Sequence, residues 1–194
     1  MSKKKMNIKE ILIQYNAYII FVALFVICAI LSDRFLSLMN IRNIALQQAG
    51  PICVVLGMLF VILTGGIDLS VGSVMALGSS LAAYLIVFKN VPFQLAIVIA
   101  MVMGLAAGTV TGTLVAYAKF QGFVASLAMM TIARGAALVI TNGSPIKMEG
   151  DTLSLIVKKE YGYPILIITF AIIVIFCIIQ RNTAYGRIVI ALGS

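Results

Sequence analysis

Thr64-Gly65-Gly66-Ile67-Asp68-Leu69-Ser70-Val71-Gly72-Ser73 separates two apolar runs, Ile52–Leu63 and Val74–Phe88. The adjacent glycines release the backbone from helical dihedrals. Asp68 and Ser70 are both N-cap types, so a new helix is expected to restart there. A helix interrupted by Gly-Gly, with a carboxylate at the interruption, is costly in hydrocarbon. Transport proteins use such breaks where backbone lines a cavity. The stretch is a first hint of a pathway through a membrane.

The totals agree. The 194 residues are 62% hydrophobic and 10% charged, with a mean hydropathy of +1.15. A soluble domain is nearer half apolar and a quarter charged. With ~20 apolar residues per span, the length allows about six helices and no sizeable soluble domain. We therefore expect an all-α polytopic membrane protein, a single transmembrane domain over residues 1–194, with one helix broken at Gly65-Gly66. The net charge of +8 sits at the ends of apolar runs, which suits lipid headgroups better than nucleic acid. Histidine is absent, which removes the commonest metal ligand and general base. Cys28, Cys53 and Cys177 are scattered in apolar segments and match neither a zinc site nor a disulfide framework. No cofactor, metal or catalytic constellation is expected on this chain, and enzyme is the least favoured class. It also lacks a G-x-x-x-x-G-K-[ST] loop, so any ATP-driven transport needs an ATPase on another chain.

Met1–Asn16 carries Lys3, Lys4, Lys5 and Lys9 and leads into the apolar run Ala17–Leu31. A secretory signal has this layout, but no clean small-x-small cleavage site follows and more hydrophobic spans do. The run is read as a retained first span with its N-terminus in the cytoplasm. Ser32–Asn43 is a polar connection with Asp33, Arg34 and Arg42. Ile44–Leu63, carrying Gln47 and Gln48, is the second span, and Pro51 leaves two topologies open. It is a full span, or Pro51 opens a half-span that sets Asp68 near the bilayer midplane. Leu69–Phe88 is the next span, ending at Lys89-Asn90-Val91-Pro92.

Phe93–Ala118 carries Gly104, Gly108 and Gly112 at four-residue spacing, a signal for close helix packing. Lys119–Gly122 is a short cytoplasmic turn. Phe123–Ile140 is the fifth span and contains Arg134, about 16 Å from its Phe123 end. A guanidinium there costs at least ~2.5 kcal/mol, so it is expected to face the bundle interior with a partner. Thr141–Tyr163 mixes Lys147, Lys158 and Lys159 with Glu149, Asp151 and Glu160. Asn142-Gly143-Ser144 fits a glycosylation acceptor, but followed by Pro145 it reads as a turn. Pro164–Ile179 is the sixth span, and Gln180–Ser194 returns Arg181 and Arg187 to the cytoplasm. Basic residues are nearly balanced between the two sides, so the N-terminal lysines carry the orientation.

Four ordered segments resemble the ribose/xylose/galactose-type ABC importer permeases. Thr64–Ser73 looks like the family signature. Gly122-Phe123-Val124-Ala125-Ser126-Leu127 resembles the family's "PPFIVTLG", with Gln121-Gly122 where Pro-Pro stands. Ile132-Ala133-Arg134-Gly135 with Thr141-Asn142-Gly143-Ser144-Pro145-Ile146 resembles "RG…TNGxPI". Tyr185-Gly186-Arg187 followed by Ala191-Leu192-Gly193 resembles "GR…AxGGN". Family permeases are longer, with further spans and a coupling segment that begins where this chain stops. The expectation is an N-terminal portion of a larger permease, or a truncated product.

The resemblance implies a permease subunit of the bacterial plasma membrane that pairs with a second copy and with cytoplasmic ATPase subunits. An extracytoplasmic binding protein would deliver a monosaccharide or related polar ligand. Asp68 has two readings. It caps the following helix, where a carboxylate is favourable by about 0.3–1 kcal/mol, or it gates a pathway together with Gly65, Gly66, Ser70 and Arg134. In the half-span topology Asp68 and Arg134 are expected to pair. Gly65 and Gly66 read more readily as a structural break, and Gly72 as room for close packing. Lys147, Lys158 and Lys159 are solvated, or they dock the binding protein. Gly186 and Arg187 lie near the ATPase contact by resemblance. The competing functions are an ion-coupled secondary transporter and a permease fragment with no pathway of its own. The first usually needs several intramembrane acids, and only Asp68 qualifies.

Overall fold

Among the described residues, Ser37 and Thr183 start helices with side-chain caps and the left-handed Asn90 and Asn142 end two, each satisfying backbone groups that helix ends leave open. The computed structural model describes residues 15–148 and 163–193. Seven helices lie among the described residues. They are α1 (Asn16–Leu31), α2 (Leu38–Leu63), α3 (Val71–Lys89), α4 (Phe93–Ala116), α5 (Gly122–Thr141), α6 (Tyr163–Asn182) and α7 (Ala184–Leu192). Five of them, α2 to α6, are long and apolar enough to cross a membrane. The first expected span is the 16-residue apolar helix α1, about 24 Å long. The described chain is all-helical, in keeping with a polytopic membrane protein. It falls into two units, which divide between Gln48 and Ala49.

In the first unit, Phe25 of α1 meets Phe35 edge-on at 5.3 Å. Ser37 Oγ accepts the Asn40 amide at 3.3 Å and Asn40 Nδ2 donates to the Phe35 carbonyl at 2.7 Å. Ser37 is thus an N-cap, and α2 begins at Leu38. The polar connection expected over Ser32–Asn43 is shorter than the sequence suggested. A cap hydroxyl that satisfies an orphan amide outweighs the polar character of Asn40, Arg42 and Asn43.

A second correction concerns Pro51. It lies inside α2, which is one continuous helix of 26 residues, about 39 Å. The half-span is therefore set aside. Proline removes one helical N–H and crowds the carbonyl of Gln47, yet spans tolerate it where the freed group is satisfied otherwise.

In the second unit α3 packs most extensively on α5, then on α4, with a lighter contact between α4 and α5. The buried positions are mostly small: Ala49, Ala83, Ala96, Ala125, Ala133 and Ala137, joined by Ser70, Thr111, Ser126 and Thr169, with Val189 of α7 the larger exception. Small side chains let helix backbones approach, which is how helices associate where lipid offers no hydrophobic gain. Large apolar side chains such as Met101 and Leu105 point outward. The buried hydroxyls of Thr111 and Thr169 bond carbonyls one turn back on their own helices, at 3.1 and 2.8 Å.

Asn142 (φ 51°) and Gly143 (φ 71°) close α5, with the Gly143 amide on the Leu138 carbonyl at 2.9 Å. Asn142-Gly143-Ser144 is a turn. Beyond α6, Thr183 donates to the Ile179 carbonyl and accepts the Gly186 amide at 3.2 Å, which caps α7. The chain bends so sharply here that a Cβ on Gly186 would fall on the Gln180 carbonyl.

Candidate functional site

The stretch between α2 and α3 is a loop joining two separate helices, not a break within one. The Thr64 hydroxyl donates to the Val61 carbonyl at 2.7 Å, and the Gly65 and Gly66 amides reach Ile62 and Val61 at 2.9 and 3.0 Å. Gly65 holds φ +74°, a conformation that side-chain-bearing residues adopt at a cost. The chain then extends through Ile67 to Asp68. Asp68 Oδ1 accepts both the Ser70 amide (2.8 Å) and the Ser70 hydroxyl (2.6 Å), and α3 starts at Val71. Its carboxylate therefore sits at the positive end of α3, where a negative charge is favourable.

Three sequence-distant segments meet at this end of the second unit. The Ile67 carbonyl lies on the first turn of α5, accepting from Ser126 Oγ at 3.4 Å. The backbone of Gly193, just past α7, lies against the Leu63 carbonyl and close to the Gly65 amide. Tyr185 of α7 stacks on Phe60 at 5.7 Å, and Phe60 also meets Phe176 of α6 at 5.3 Å. The loop, the N-terminus of α5 and α7 thus share one end. Asn90 and Asn142 cap the other ends of α3 and α5.

Between α3 and α4 runs an open groove of about 520 Å³. Gly78 and Ser79 of α3 line it with Gly104 and Gly108 of α4, and Asp68 and Ser70 close one end. The groove is apolar along its length and carries its charge at that end. Of the glycines at four-residue spacing, Gly104 has Val74 Cγ1 at 3.9 Å from a Cβ built on it. Gly108 and Gly112 face open space within this chain, and so does Gly72.

Arg134 is exposed on α5, eight positions past Ser126 and about 12 Å farther along the helix. Since Ile67 sits at Ser126, the register of α5 keeps Arg134 away from Asp68. The expected Asp68–Arg134 pair rested on the half-span and is not formed; Asp68 engages Ser70 instead. Lys147 is exposed, whereas Lys158 and Lys159 lie outside the described residues. Gly186 is buried in the α6–α7 bend and Arg187 is exposed on α7. Sequence reasoning passed over Ser126, Phe60 and Tyr185. Ser126 did fall within a motif segment, but its burial and its reach to Ile67 left no mark on composition. Among the described residues no group of histidine, cysteine, aspartate or glutamate could hold a metal ion.

Residues 40–194 match the family model described as branched-chain amino acid transport system / permease component. The chain is 36% identical to the ribose import permease protein RbsC of Haemophilus influenzae, over 97% of this chain and 60% of that protein. It is likewise 36% identical to the Bacillus subtilis RbsC, over 99% of this chain and 61% of that one. To the L-arabinose transport system permease protein AraH of Escherichia coli it is 31% identical, over 93% of this chain and 56% of that one. The chain thus spans about three fifths of the length of these curated relatives. No solved structure matches it.

Proposed function

This chain belongs to the family of branched-chain amino acid transport system permease components, and we propose that it forms the membrane pathway of an ATP-driven importer for a monosaccharide such as ribose. The observation that carries the proposal is its likeness, over nearly its whole length, to proteins named as ribose import permeases. The geometry supports it. A groove of about 520 Å³ is within the range that holds small ligands. At its closed end the Asp68 carboxylate is an acceptor for sugar hydroxyls, and Ser70 holds it in place.

In this reading Gly65 and Gly66 let the loop move, and Asp68 and Ser70 gate the groove. Arg134 is a further polar group of the pathway, because a mid-span guanidinium belongs against water or a partner rather than lipid. Gly72, Gly104, Gly108 and Gly112 leave room for helices of the assembled permease. ATP is bound by separate ATPase subunits, which approach Gly186 and Arg187. A binding protein docks on the opposite face, over Lys147, Lys158 and Lys159. A second copy completes the pathway. The N-terminus is cytoplasmic, which puts the 64–70 loop, Lys119 and Arg187 on the cytoplasmic side.

The test uses the full permease with its ATPase and binding protein in proteoliposomes. Labelled ribose is expected to accumulate only with ATP on the ATPase side, and to do so with ion gradients collapsed. Accumulation driven by a proton or sodium gradient without ATP would make the protein a secondary transporter.

A further inference from the structure

The Asp68 loop is anchored by a residue outside the 64–73 stretch. Ser126 is 1% exposed, the largest side chain in the described protein to be so fully enclosed. Its hydroxyl faces two carbonyls, Phe123 on its own helix at 3.1 Å and Ile67 of the loop at 3.4 Å. The hydroxyls of Ser79, Thr109, Thr113 and Thr131, by contrast, bond only carbonyls on their own helices. Ser126 therefore shares its one proton between its own helix and an element 59 positions away in sequence.

The place it fastens is specific. Ile67 directly precedes Asp68, so a carbonyl fixed at Ile67 fixes the start of the turn that aims the carboxylate at Ser70. Gly122 also lies beside this carbonyl, a Cβ built there standing at the ordinary contact distance of 3.6 Å from it. The carbonyl also meets the positive end of α5, where partial negative charge is favoured. The Ile67 side chain, in contrast, is 54% exposed, so its own packing holds the loop only weakly at that point.

We propose that Ser126 is a positioning residue for Asp68, holding the 64–70 loop on α5 so that the carboxylate closes the α3–α4 groove. The proposal rests on the pathway reading given above and extends it to a residue on another helix. Ser126 does not touch the transported ligand. It acts through the Ile67 backbone, and its effect on transport disappears when Asp68 has no carboxylate.

The full permease, assembled with its ATPase and with Cys28, Cys53, Cys177 and any cysteine outside these 194 residues replaced by alanine, provides the test. The first readout needs no transport. A water-soluble maleimide labels Ile67→Cys, and adding Ser126→Ala is expected to raise the rate about twofold, since the half-exposed position 67 already reacts and one long hydrogen bond is lost. Labelling of Lys119→Cys in the same background is expected to stay constant, which separates local release from general unfolding. An unchanged rate at position 67, or an equal rise at 119, would overturn the proposal. The second readout is uptake by Ser126→Ala, Asp68→Ala and the double variant. The double variant is expected to be no slower than Asp68→Ala alone, whereas losses that multiply would show that Ser126 acts independently of Asp68. Should the parent import no sugar, the pathway reading fails, while the labelling result still decides whether Ser126 holds the loop.

Discussion

Gly186→Val is expected to release α7 from the bundle. The Cβ would coincide with the Gln180 carbonyl, so the bend between α6 and α7 cannot close around a side chain. Backbone against backbone leaves no flexible group to yield, and the cost is on the order of 3 kcal/mol. Hydrogen exchange reads it directly, because amide protection reports the free energy of local opening. Exchange at the Ile188 to Ile190 amides is expected to rise about a hundredfold. Gly135→Val on α5 is the control, since a Cβ there meets nothing within 4 Å, and its exchange pattern is expected to stay as in the parent. Tyr185 and Gly193 both hold α7 to the end of α2. Release of α7 therefore also removes the support beneath the 64–70 loop, and uptake is expected to fall with the protection.

Asp68 gives the second large effect, and two substitutions divide its roles. Asp68→Asn keeps an oxygen that can accept from Ser70 but loses the charge. Asp68→Ala loses both. Hydrogen bonds to charged groups contribute ~1.5–3 kcal/mol, so uptake is expected to fall about tenfold in the asparagine variant and closer to a hundredfold in the alanine variant. Protein levels in the membrane are expected to stay near the parent's, because the side chain is only half-buried and its bonds are local. Equal uptake in all three proteins would leave Asp68 as a helix cap and nothing more.

Much of this fold is legible in the sequence because a bilayer demands long apolar runs, and such runs are visible without partners. The runs ending at Leu63, Phe88 and Ile140 all end within a residue or two of observed helices. What escaped was local or long-range. Pro51 carries a strong helix-breaking prior, yet α2 runs through it, since a span has no solvated alternative for its backbone. Ser37 and Thr183 are short polar residues whose capping depends on the orientation of amides three positions on. The Asp68–Arg134 pair followed from charge economy together with the half-span, and the unbroken α2 and the packing register of α5 overrode it. Ser126 was invisible as a site for a similar reason, because hydropathy says nothing about which carbonyl 59 positions away a buried hydroxyl will meet.

The central claim is that the Asp68 loop closes the groove at the end of the bundle shared with Lys119 and α7. Sidedness of labelling tests it most directly. Single cysteines at Ile67, Lys119, Arg187, Asn90 and Asn142, in the thiol-free permease, are exposed to a membrane-impermeant maleimide from one side of sealed vesicles at a time. Positions 67, 119 and 187 are expected to react from one side, and positions 90 and 142 from the other. Reaction of position 67 together with 90 and 142 would contradict the account.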